Sequence, residues 1–186
     1  MEGQAGIKQR VVALLIPGED SLMDNTALNE LLANPAGRQF WIVLWGDPER
    51  LPEEGPLVFD EPEIEHWFPM RPASIKVGDI LFVHRIGAAS LIFVAELASE
   101  ARRATAEELA NDPRHERWAW VVETKNLTPA FGSRGRDYRL KTFALNREYN
   151  ELNPQDRVNI GRLQFGAPVR ISQGFARFLL ERIIRL

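Results

Sequence analysis

The chain has no cysteine, and among its 186 residues only three histidines, three methionines and two tyrosines. Without cysteine there can be no disulfide framework, thiolate metal site or thiol nucleophile, and the chain suits a reducing compartment, so a cytoplasmic location is expected. His66, His84 and His115 share no metal-ligand spacing, and no Ser-His-Asp order with a nucleophile elbow is visible. No metal and no cofactor are expected. Long apolar runs are also missing: no stretch approaches the roughly 20 residues of a spanning helix. Val11 to Ile16 is too short for a secretory core, so no membrane partner is expected. A phosphate loop of the G-x-x-x-x-G-K type and internal repeats are absent as well.

What is present suffices for one sizeable core, since 45% of the residues are hydrophobic. The formal charge of −3 hides a division. Residues 114–186 carry 14 Lys and Arg against 7 Asp and Glu, whereas residues 1–113 carry 9 against 19. The C-terminal part is therefore the better polyanion face.

Leu28, Leu31 and Leu32 fall at helical spacing within 21–34, and Asn34-Pro35 with Gly37 stops that helix. Phe40 to Trp45 is a near-continuous apolar run of strand length, closed by Gly46-Asp47-Pro48. Residues 51–72 show no clear period, hold five prolines and six acids, and read as a long loop. Ile75 to Glu100 reads as a Gly-Asp corner followed by a hairpin turning at 87–90. In its first strand Ile80, Phe82 and His84 share one face, and Leu81, Val83 and Arg85 the other. Thr105-x-x-Glu108 is a capping-box pattern, Trp118 to Thr124 has strand character, and Asn150 to Asp156 reads as a polar connection. Ser172 is placed to cap a final helix with Phe175, Phe178, Leu179 and Ile183 on one face.

Five segments in order, FWIVLWGDP, IKVGDILFVHR, LIFVAELASE, WAWVVETKNL and IGRLQFGAPVRISQGFARFLL, resemble the EVE domain family of the PUA-like superfamily. The resemblance covers about residues 39–182. It implies a mixed α/β fold: a small, mostly antiparallel β-barrel with flanking helices over 39–186, preceded by a helical extension over 1–38. Two departures stand out. The family's "W.gvrNyqArn" stretch is reduced to His66-Trp67-Phe68-Pro69-Met70-Arg71, and the usual Ser after "RL" is Gln164.

The resemblance further implies a non-catalytic reader of nucleic acid, DNA or RNA, that takes a modified base into an aromatic pocket. A partner nuclease or other effector would act on what it reads. An extruded base needs flat rings and polar groups at its edge. Trp45, Trp67 and Phe68 are the candidate rings, and His84, Arg71 and Gln164 the candidate edge groups. The glycine-flanked Arg134 and Arg136, with Arg162, are candidate phosphate contacts, which position without specifying sequence. Two other readings stand beside this one. An acidic loop and N-terminal helix suit a protein-interaction module, and Glu123-x-Lys125 at a strand end matches a metal-dependent nuclease, which needs a further Asp from Asp79 or Asp112.

Overall fold

The computed structural model describes residues 25–35, 37–46, 61–111, 117–129, 140–165 and 167–186. In chain order they form α1 (Thr26–Ala33), β1 (Phe40–Trp45), β2 (Glu63–Phe68), β3 (Ile80–Arg85), β4 (Ser90–Leu97), β5 (Arg102–Arg103) and α2 (Ala106–Asn111). β6 (Trp120–Asn126), α3 (Thr142–Leu152), a 3-10 helix (Gly161–Phe165), β7 (Val169–Ile171) and α4 (Gln173–Ile184) follow. No helix among the described residues is long and apolar enough to cross a membrane.

The seven strands make one sheet in the order β2-β6-β4-β3-β1-β7, with β5 also on β6. Only β1 and β3 run parallel. The fold is mixed α/β with a mostly antiparallel sheet, as expected, but the expected barrel is corrected to an open sheet. Closure requires the two end strands to share a ladder. Among the described residues β2 bonds to β6 alone, and the three-residue β7 bonds to β1 alone. The sheet nevertheless curls strongly. With strands about 4.8 Å apart, a flat sheet would set β1 and β2 roughly 19 Å from each other. Instead the rings of Trp45 and His66 lie 5.4 Å apart.

Both faces of the central strands are buried, which is why β1 reads as an unbroken apolar run. Phe40, Ile42 and Leu44 join Ile80 and Phe82 under the helices, whose Leu28, Leu145, Tyr149, Phe175 and Leu179 complete that core. Trp41 and Val43 point the other way and meet Leu81, Val83, Phe93 and Phe68 on the concave face. A bulge in the β3–β4 pairing sets both Ile92 and Phe93 on the concave side.

Local signals explain the corners. Gly78 adopts φ +88°, which a side chain would strain, and so turns Asp79 inward. The Asp79 carboxylate accepts from Gln39 N (3.1 Å), Trp41 Nε1 (3.0 Å) and Lys76 N (3.0 Å), so it pins β1 to the start of β3. Thr105 and Glu108 form the reciprocal capping box: Glu108 accepts from Thr105 N at 2.6 Å, and Thr105 Oγ1 accepts from Glu108 N at 3.2 Å. Ser172 Oγ caps α4 by accepting from Phe175 N at 3.1 Å.

Three expectations change. Glu63–Phe68, expected as loop, is strand β2. Helix α3 covers 142–152, so its last turn occupies the start of the expected polar connection. The strand expected at 118–124 lies two residues later. The α1 side chains Leu28 and Leu31 belong to the helix-covered core.

Candidate functional site

Alternation along β2 decides which candidates meet. Ile64, His66 and Phe68 face the concave core, whereas Glu63, Glu65 and Trp67 project from the opposite face. Trp45, the last residue of β1, alternates onto the concave side with Trp41 and Val43. The curl then brings these two strands together. Trp45 lies 5.4 Å from the His66 ring and edge-on to Phe93 at 5.8 Å, and Phe68 lies 4.7 Å from His66.

His66 is 1% exposed, and neither ring nitrogen has a hydrogen-bond partner. Burial lowers its pKa to about 3, with a smaller opposing pull from the Leu44 carbonyl. That carbonyl favours a proton on the ring but does not stand in hydrogen-bonding geometry. The imidazole is therefore neutral at physiological pH, one nitrogen a donor and the other an acceptor. Arg85, only 4% exposed, stands beside Trp45 in the β1–β3 register.

The structure thus joins Trp45 and Phe68 and leaves the other expected residues elsewhere. Trp67 is half-buried on the far face, opposite Val121. His84 lies on the helix side, where its Nδ1 shares a 2.8 Å hydrogen bond with Thr142 Oγ1 and its ring meets Phe143 edge-on. Burial lowers its pKa to about 4. Arg71 is exposed, with its guanidinium 5.6 Å from the Trp120 ring, and Arg103 stands 5.9 Å from that same ring. Trp120 pairs with Phe68 in the β2–β6 register, so Arg71 is at the margin of the concave face. Arg162 is exposed on the 3-10 helix, whose Leu163 enters the helix-covered core. Gln164 follows it, with its side chain outside the described set. Arg134, Arg136 and His115 lie outside the described residues.

His66 and Arg85 are the residues that sequence reasoning missed. The alternation Ile64, His66, Phe68 was the available signal for His66, masked by the acids and by Pro62 and Pro69 around it. Arg85 lies on the face that alternation along β3 assigns to it, but nothing in a one-strand pattern foretells its burial.

Glu123 and Lys125 are exposed on the outer face of β6, with Glu65 and Glu63 directly across from them. Arg102 bonds Glu108 and Glu65 and so offsets the acids of this region. Asp79 is occupied at its corner, and Asp112 is outside the described residues. Among the described residues no group of three His, Cys, Asp or Glu is arranged to hold a metal ion. A groove of about 290 Å³ between α1 and α4, lined in part by Leu31, Phe40, Gly174, Arg177 and Leu180, contains none of the expected residues.

No protein-family model matches the chain, and no curated protein matches it significantly. Among solved structures, a hypothetical protein from Leishmania major superposes with a TM-score of 0.51 at 13% identity, covering 82% of this chain and 98% of that one. That likeness shows a shared fold. The YTH domain of Zygosaccharomyces rouxii MRB1, in complex with N6-methyladenosine RNA, gives a TM-score of 0.47 at 12% identity over 81% of this chain and 90% of its own. The Pho92 YTH domain in complex with m6A gives 0.49 at 10% identity over 81% and 88%.

Proposed function

We propose that this chain is an EVE-type, non-catalytic reader of nucleic acid that holds an extruded, modified base against the concave aromatic cluster. The observation that carries this reading is the meeting of Trp45 and Phe68 around a buried imidazole with two unpaired nitrogens. Unstacking a base costs a few kcal/mol. Stacking on an aromatic face returns about 1–3 kcal/mol, and a hydrogen bond at the base edge adds to it. Trp45 is half-buried and supplies the stacking face, while the fully buried Phe68 supplies the floor. Arg71 at the margin, together with Arg134 and Arg136, holds the backbone phosphates. A reader of this kind acts through a partner nuclease or other effector.

The test is fluorescence anisotropy with matched DNA and RNA oligonucleotides at two salt concentrations. The bases are unmodified or carry 5-methylcytosine, 5-hydroxymethylcytosine or N6-methyladenine. One modification is expected to bind several-fold tighter, and all binding is expected to fall with salt. Absence of binding to every oligonucleotide at low salt overturns the reading in favour of a protein-interaction module.

A further inference from the structure

We infer that His66 is the specificity-determining group of this site, accepting a hydrogen bond from the exocyclic amine of an uncharged base that enters on the Trp45 side. The inference rests on the reader reading and adds to it which edge of the base is recognised. A side chain 1% exposed with both ring nitrogens unpaired is an uncommon arrangement, because buried polar atoms are almost always bonded. Two rings also pack against His66, Trp45 at 5.4 Å and Phe68 at 4.7 Å and both tilted to it, so the imidazole is the polar point of an otherwise aromatic patch. Of these rings Phe68 is buried and Trp45 only half-buried, so the approach lies over Trp45.

The direction of the hydrogen bond follows from the neighbours. The Leu44 carbonyl favours the proton on the ring nitrogen nearer to it without bonding it, so the other nitrogen offers a lone pair to the ligand. A lone pair selects an N–H donor. Arg85, 4% exposed and level with Trp45 in the β1–β3 register, brings a cation to this end of the sheet, which disfavours a cationic base and leaves neutral ones. The lowered pKa of His66 agrees, since the ring keeps its acceptor throughout the neutral range.

The full chain and its His66→Phe variant are titrated with the tightest-binding oligonucleotide of the screen above, and with a counterpart whose exocyclic amine is dialkylated. Each modified base in that screen carries such an amine. The variant is expected to bind at least tenfold more weakly than the parent. Dialkylation is expected to cost the parent a similar factor and the variant less than twofold, because the two changes remove one bond. The variant's melting temperature is expected to equal or exceed the parent's, since phenylalanine leaves no unpaired nitrogen. Binding by the variant within twofold of the parent overturns the inference and leaves the reader reading standing. A melting temperature several degrees lower also overturns it, showing that the protein itself bonds the ring. If the parent binds no oligonucleotide, both readings fall together.

Discussion

On the helix-covered face of the sheet, His84 is bonded to Thr142 and set edge-on against Phe143; on the concave face, His66 lies between Trp45 and Phe68 with neither nitrogen bonded. Both histidines are buried, and burial keeps both neutral, with pKa values of about 4 and about 3. The difference lies in satisfaction. On the helical face the buried imidazole of His84 has its partner on α3. The concave face combines an unpaired imidazole, a buried arginine and a half-buried tryptophan, and a ligand with a polar edge would complete it. An unpaired buried polar group costs about 1–3 kcal/mol, so its retention needs a reason beyond stability.

The largest effect of a single substitution at neutral pH should come from the corner that supports the concave face. Asp79→Ala removes the acceptor of Trp41 Nε1, Gln39 N and Lys76 N. We expect a loss of about 4 kcal/mol in chemical denaturation, because a charged acceptor and a buried indole partner go together. A loss below about 1 kcal/mol would mean that the concave face does not depend on this corner.

Acid comes next, and here both faces respond. A histidine with a folded pKa below its unfolded 6.5 binds protons more readily when unfolded. Its contribution is therefore complete above pH 6.5 and is lost as pH falls toward the folded pKa. Between about 6.5 and 4 each histidine should cost about 1.4 kcal/mol per pH unit. His66→Phe should roughly halve the acid slope, measured by denaturation at stepped pH, and an unchanged slope would remove His66 from the comparison.

Binding separates the faces more directly. Trp45→Ala should weaken the preferred oligonucleotide by about 1–3 kcal/mol, whereas Trp67→Ala, altered on the opposite face, should change it less than twofold. Equal losses from the two variants would undo the assignment of the site to the concave side. The smallest expected effect is the difference between the histidines themselves. His84→Phe should cost about 1–2 kcal/mol by leaving the Thr142 hydroxyl without its partner, while His66→Phe should cost nothing. Matching losses in thermal melts would show that the two sites are alike after all.

Much of the frame was legible because its signals are local. The apolar run 40–45, the hairpin 80–97 with its face assignment, the Thr105–Glu108 capping box and the Ser172 cap each follow from spacing within a few residues. β2 was obscured because acids occupy one face and prolines bracket it, although its period of two is intact. α3 was obscured because it buries only Thr142, Leu145 and Tyr149, and its remaining surface is polar. Trp67 looked available for a pocket until β2 became a strand, whose alternation turns it from His66.

By itself, then, the sequence determined which residues share a face, since period and capping are properties of neighbouring residues. Only the tertiary structure decided which faces meet. His84 finds its partner 58 residues away, and the curl that sets Trp45 against His66 arises from the sheet as a whole. No single strand records it, because the distance between two strands depends on every strand between them.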